Sequence, residues 1–442
     1  MAVKVPLPSR YFCKPLHVYL FYLLVLFLPS QLGRHFWFDF SLVRGIRIDY
    51  LSPTLYLTDV LLLSTLITWG WVVRRRIVYW IKTYRLIFLG IIFFVAINTI
   101  VSTTPFLPAY YWLRYLLFIA LSAYVFCESK TFFSKKVRGR RGSIIFFLLA
   151  ITVLYSSCIA LVQFFHQGSV GGALWYLGER TFSGSTIGIA NAAIAGRLVL
   201  RPYATFSHPN ALAGYITVVL ALLLFFWGKE SKHSSMQKGM LLLTFICGVA
   251  TLIVTLSRSA WIVGASLALL VAIPRLTNIF KNRLRVRTAL ILGGVFLWII
   301  SIASIFSLFP FFGESLQVRS VLNNAALKMI ATHPLIGVGL GNFIPRLVDY
   351  VDTPLVPSLL QPAHNMYLLM GAQTGLLGLG VLLFLLFLPI KKMKGKKMYA
   401  ILPLGAIMAL GLTDHYFLTL QQTQLLLAIV AGFVYGDSYK ST

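Results

Sequence analysis

Residues Gly239–Pro274 read GMLLLTFICGVATLIVTLSRSAWIVGASLALLVAIP, with one charged side chain, Arg258, near the middle. A helix that crosses the hydrocarbon needs roughly 20 apolar residues. These 36 residues are therefore too many for one span and fit two short spans joined at Ser257-Arg258. An arginine at bilayer depth costs about 2.5 to 3.5 kcal/mol on insertion scales, so the chain has reason to turn there and bring Arg258 to an interface or a wet cavity. Merging the two halves would invert every later segment.

Composition agrees with a membrane solvent: 58% of residues are hydrophobic and 11% are charged. A net charge of +28 would suggest nucleic acid in a soluble protein, but here the basic residues fall in short runs between apolar spans. Membrane orientation accounts for them, and no nucleic-acid partner is expected. Cys13, Cys127, Cys158 and Cys247 lack paired spacing, so they read as packing residues rather than disulfides or a zinc site. Lys4, Arg10 and Lys14 precede the first apolar run with no small-residue cleavage site after it, which reads as an uncleaved first helix.

Apolar runs fall at 16–32, 51–73, 86–101, 110–127, 143–166, 208–228, 239–256, 259–273, 288–312, 364–390, 398–416 and 420–436. The expectation is an all-α polytopic membrane protein of about 12 transmembrane helices, one integral membrane domain over 1–442 with both termini cytoplasmic. The basic clusters at 74–76, 135–141, 229–238, 275–287 and 391–397 then all lie inside. Of the 39 Lys and Arg, 28 become cytoplasmic, ten external, and Arg114 falls within a span.

The external ten are Arg34, Arg44, Arg47, Arg180, Arg197, Arg201, Arg258, Arg319, Lys328 and Arg346. Orientation needs only charge, whereas a planar guanidinium suits bidentate contact with phosphate or carboxylate. An outer face rich in arginine is thus suited to hold an anion. Two long external segments, 167–207 and 313–363, stand out against short connections elsewhere. In the second, Val318, Val321, Leu322, Ala325 and Met329 recur at helical spacing, predicting an amphipathic helix along the outer membrane surface, ended by Pro334 and followed by the turn GVGLGNF.

Three stretches can carry chemistry. In RPYATFSHPNALAGY, Pro209 suits the first turn of a span and Ser207 or His208 its cap. Arg201 would sit beside that helix N-terminus, where it either binds phosphate or reaches to lipid headgroups. In TLSRSAW, Arg258 either ligates an anion or marks the interface, with Trp261 as an interfacial anchor. In PAHNMYLLMGAQTGLLGLG, His364 opens a span after the long loop, where an imidazole of ordinary pKa about 6.5 can take a proton from a hydroxyl nucleophile. Asn365 could orient it or cap the helix.

The external carboxylates Asp39, Asp49, Glu179, Glu314, Asp349, Asp352 and Asp414 are dispersed, and the sequence does not rank them. GVGLGNF does not match G-x-G-x-x-G, and no H-E-x-x-H, P-loop or EF-hand pattern is present. Neither a metal nor any other cofactor is expected.

In their order and spacing, RPYATFSHPNALAGY, TLSRSAWIVGA, RSVLNNAALKMIATHPLIGVGLGNF and HNMYLLMGAQTGLLGLG resemble the O-antigen ligase and polymerase superfamily of bacterial membrane glycosyltransferases, over about 200–385. The resemblance implies transfer of a glycan from a polyprenyl-diphosphate carrier, such as undecaprenyl diphosphate, to a hydroxyl of a glycan, glycolipid or other acceptor, at the outer face of the cytoplasmic membrane. It assigns Arg201, Arg258 and, with a weaker motif, Arg319 to the donor diphosphate, and His364 to the acid/base or acceptor-orienting role. Ligation to an acceptor in lipopolysaccharide biosynthesis and polymerisation of polysaccharide repeat units both remain open. A transporter of anionic lipid or sugar would instead need ionisable residues near the midplane; Arg114 and Asp59 are the nearest candidates, yet both fall near the expected outer ends of their spans.

Overall fold

The computed structural model describes residues 15–133, 140–186, 188–194, 196–229, 233–279, 313–352, 356–392 and 398–438. Its helices are α1 (Leu16–Leu26), α2 (Leu57–Thr83), α3 (Arg85–Ile100), α4 (Phe106–Phe133), α5 (Arg140–His166), α6 (Pro209–Trp227), α7 (Ser235–Thr255), α8 (Arg258–Ile279), α9 (Gly313–Thr332), α10 (Met366–Lys392), α11 (Met398–Leu410), α12 (Tyr416–Thr419) and α13 (Gln421–Ser438). Among the described residues, six helices (α2, α4, α5, α6, α7 and α10) are long and apolar enough to cross a membrane, and four apolar helices are shorter. The span expected at 288–312 and most of the basic cluster expected at 275–287 lie outside the described residues.

Two expectations change. Helix α2 runs on to Thr83, so Arg74, Arg75 and Arg76 continue a helix instead of forming a loop. The segments before α2 and α6 are not free of strand: β1 (Gly33–His35) pairs with β4 (Thr54–Tyr56), β2 (Leu42–Val43) with β3 (Ile46–Arg47), and β5 (Asn191–Ile194) with β6 (Arg197–Leu200), all antiparallel. These pairings satisfy backbone groups in segments too irregular for helix.

The turn at Ser257-Arg258 is present. Helix α7 ends at Thr255, Leu256 adopts φ 51° in the left-handed region, and α8 begins at Arg258. Trp261 Nε1 donates back to the Leu252 carbonyl at 2.5 Å, tying the two helices at the turn.

Helix α6 is the most enclosed span, with 89% of its apolar window buried. Lipid tails are as apolar as leucine, so helices in a bilayer associate through close packing of small residues and not through water exclusion. Gly432 and Gly436, one turn apart on α13, illustrate this. A Cβ on Gly432 would lie 2.6 Å from Val125 Cβ and 2.7 Å from the Ser122 carbonyl of α4, and Gly436 abuts Ser129.

Helix α9 is amphipathic as expected, but its apolar face does not lie on lipid. Leu322, Ala325, Ala326 and Met329 are buried against Phe343, Leu347 and Leu359 of the following loop and Leu369 and Ala372 of α10. The GVGLG turn is pinned beneath it. Gly337, Gly339 and Gly341 all have φ between 74° and 97°, and Asn98 of α3 donates to the Ile336 and Gln373 carbonyls at 2.9 Å while accepting from Leu340 N at 3.0 Å. Arg114 and Asp59 pair with each other at 3.2 Å, and Gln421 donates to Asp59 at 2.7 Å, so this buried ion pair joins α2, α4 and α13.

Candidate functional site

The C-terminal ends of α7 and α11 meet the N-terminal ends of α6, α8 and α10, and α9 comes in beside them. At this junction the buried carboxylate of Asp414 is the hub. It follows α11, and its Oδ1 accepts from the His415 backbone N–H at 2.9 Å. Its Oδ2 accepts from Asn210 Nδ2 at 3.1 Å. His364 Nδ1 lies 3.5 Å from Oδ1 and His415 Nε2 3.8 Å from it.

Arg201 reaches the same hub through Asn210. Its Nη2 donates to Asn210 Oδ1 at 2.6 Å and its Nε to the Thr255 carbonyl, the end of α7, at 2.8 Å. The loop that carries it is clamped by Gln163 of α5. The Gln163 amide accepts from Tyr203 N at 2.9 Å and Ala204 N at 2.7 Å, and donates to the Ala204 carbonyl at 3.0 Å and Glu179 at 2.7 Å. That amide is fully satisfied, which fixes a loop whose Ala204 has φ 49°.

Arg319 approaches from α9, donating to the Thr413 carbonyl at 2.9 Å, one residue before Asp414. Burial lowers the Arg201 pKa to about 10, with Tyr203 opposing and the charges of Arg319 and Arg258 adding to the fall. Arg201, Arg258 and Arg319 therefore share one electrostatic neighbourhood. Burial would raise the Asp414 pKa, but His364 and the surrounding positive charge outweigh it and hold the carboxyl well below the usual range.

His364 precedes α10. Asn365 is the cap beside it: its Oδ1 accepts from Tyr367 N at 2.9 Å and Leu368 N at 3.1 Å, while its Nδ2 donates to the Leu412 carbonyl at 3.1 Å. This resolves the choice left by the sequence in favour of capping. His208 is likewise the cap of α6, its Nδ1 accepting from Asn210 N at 3.1 Å. Because the Asp414 carboxylate faces His364 Nδ1, that nitrogen is the one suited to carry the proton, leaving Nε2 as the basic nitrogen. Nε2 lies 3.2 Å from Gln361 Oε1, an acceptor that takes a hydrogen bond only from a protonated Nε2, so Nε2 can act as a base only once Gln361 moves away.

The arrangement thus places a carboxylate-supported imidazole beside a cluster of fixed guanidinium groups. It also offers one ligand atom each from His364, Asp414 and His415 within 4.8 Å of one another, a spacing a divalent ion could bridge. All four residues singled out by sequence, Arg201, Arg258, Arg319 and His364, come to this junction. Asn210, Asp414 and His415 were not singled out, although the pair Asp414-His415 interrupting an apolar run was the available signal.

Residues 243–383 match the family model for O-antigen ligase. Over that stretch the chain is similar to the O-antigen ligase superfamily. Its matched stretch contains Arg258, Arg319 and His364, while Arg201, Asn210 and Asp414 reach the same junction from outside it. No curated protein matches the chain. The superfamily comprises membrane glycosyltransferases, and the apolar helices agree with that setting.

Proposed function

We propose that this protein transfers a glycan from a polyprenyl-diphosphate carrier to an acceptor hydroxyl at the outer face of the bacterial cytoplasmic membrane. The observation that carries the reading is the convergence of Arg201, Arg258 and Arg319 beside the His364–Asp414 pair.

In this reading the arginines neutralise the carrier diphosphate, both in binding and as charge grows on the leaving oxygen. The acceptor hydroxyl displaces Gln361 from His364 Nε2. As its oxygen attacks the anomeric carbon, its proton passes to Nε2 and the bond from that carbon to the diphosphate oxygen breaks. Asp414 stabilises the imidazolium that results. One direct displacement inverts the anomeric centre, and fixed guanidinium groups take the place of a metal ion. The polyprenyl tail stays in the bilayer beside the apolar helices.

The test supplies purified protein with a polyprenyl-diphosphate-linked glycan and candidate acceptors, and follows release of free carrier diphosphate and product mass. Transfer by the wild type and its loss in Arg258→Ala and His364→Ala are expected; turnover that survives both substitutions rejects the assignment. Ligation is the reading stated here, and growth of carrier-linked chains without another acceptor would identify a polymerase.

A further inference from the structure

A cavity of ≈ 120 Å³ lies on the other side of His415 from the reaction centre, between the β1–β4 segment and the start of α13. Its wall is continuous with the hub. Thr419, which lines it, bonds His415 Nδ1 at 2.8 Å. Tyr50, also in the wall, meets the His415 ring edge-on at 5.5 Å between centroids.

Three buried polar atoms on residues lining this space have no hydrogen-bond partner: Gln31 Oε1, Ser207 Oγ and Gln421 Oε1. Gln421 is 2% exposed and its amide nitrogen is already committed to Asp59 and Thr58, so its oxygen has only the cavity side left. Leaving such groups unmet in a buried setting is unfavourable. Tyr50 and Arg180 also line the cavity.

We infer that this cavity is a sugar subsite that seats one ring of a glycan substrate next to the reaction centre. The inference rests on the glycosyl-transfer reading above. Acceptors from Gln31 and Gln421, a hydroxyl from Ser207 and donors from Tyr50 and Arg180 match the alternating donors and acceptors of a hydroxylated ring. Tyr56 and Tyr110 also line the cavity and, although each carries the Arg114 guanidinium over its ring at 5.5 Å, supply aromatic carbon for the sugar's C–H side. Ordered water could meet the polar atoms alone. It would gain nothing from the aromatic faces.

Two variants test the subsite without touching the groups assigned to chemistry. Tyr50→Phe removes a hydroxyl and keeps the ring and the carbonyl that accepts from Tyr111. Arg180→Ala alters an exposed side chain. Saturation-transfer NMR is run with the purified full chain and the soluble glycan released by mild acid from the host's own polyprenyl-diphosphate carrier. The wild type is expected to saturate the glycan protons, and each variant, with an unchanged melting midpoint, to weaken binding by about tenfold, the scale of one lost hydrogen bond to a charged or well-placed group.

In turnover, the KM of one substrate should rise by a similar factor with kcat held within about twofold. A rise confined to the donor places the ring on the carrier-linked glycan, and a rise confined to the acceptor places it there. No saturation in the wild type, or equal saturation in all three proteins, means the cavity holds water only and overturns the inference. A wild type that binds glycan but transfers none rejects the transferase reading and leaves the subsite standing.

Discussion

His364 Nδ1 faces Asp414 Oδ1 at 3.5 Å, and the two residues belong to different loops, one before α10 and one after α11. The carboxylate is held by Asn210 and by the His415 backbone, so it presents its charge to the imidazole without turning. Asp414→Asn should lower kcat by about 10²-fold with donor KM little changed, and His364→Ala by about 10² to 10⁴-fold, the usual worth of a positioned base. The double variant should be no worse than His364→Ala. Independent, multiplying losses in single-turnover assays would show that Asp414 does not act through His364.

Arg201 makes two directed bonds, to the Thr255 carbonyl and to Asn210. A lysine keeps the charge and cannot span both acceptors with a planar fork. Arg201→Lys should raise donor KM by about tenfold or more, and Asn210→Ala should reproduce part of that loss by releasing the guanidinium. Titration of carrier-diphosphate affinity for the two single variants and the double variant reads the coupling, which additivity would refute.

Fixed guanidinium groups make a metal unnecessary in the mechanism above, although His364, Asp414 and His415 could ligate one. Exhaustive treatment with EDTA, followed by assay in metal-free buffer, should leave turnover within about twofold, since cation charge at the diphosphate comes from arginine. A loss restored by adding back one divalent ion would transfer the three side chains to metal binding.

Burial holds both His208 and His415 down to about 3, with the Arg201 charge adding to the effect at His208 and Asp414 opposing it at His415. Their value in an unfolded chain is about 6.5. Between these limits the unfolded state binds protons that the folded state refuses, so stability is complete above about pH 6.5 and falls as pH drops toward 3. The depressed Asp414 pKa adds loss in the same direction below its ordinary range. Melting midpoints in detergent should decline steadily from pH 7 to pH 4, with a shallower decline in His415→Gln. A flat profile would contradict the buried, neutral state of these rings.

Gly432 lets α13 approach the α4 backbone at Ser122. Gly432→Leu should destabilise by about 1 to 3 kcal/mol, the range for overpacking, and lower the melting midpoint with little change in KM. An unchanged midpoint would mean the two helices separate at no cost.

The sequence made much of this legible because membrane solvent writes strong signals. Length and charge alone located the α7–α8 turn at Arg258, and proline with a polar neighbour located the start of α6. The four residues drawn from loose motifs meet at one junction. Asp414 was not legible, since seven dispersed external carboxylates look alike until the chain is folded. Asn210 was hidden for a related reason: an asparagine in a first helical turn reads as a capping neighbour, and only the fold shows it bridging Arg201 and Asp414. The short strands were missed because two- to four-residue pairs carry no periodicity.

The contacts of Asp414 with His364 and with Asn210 also impose an order in time. Ribosomes deliver Arg201, Arg258, Arg319 and His364 to the membrane before Asp414, so a nascent chain carries the cations and the imidazole with no carboxylate to align them. In the glycosyl-transfer reading, catalytic competence then arrives only when the segment after α11 emerges, so a half-inserted protein would not act on carrier lipid during its own biogenesis.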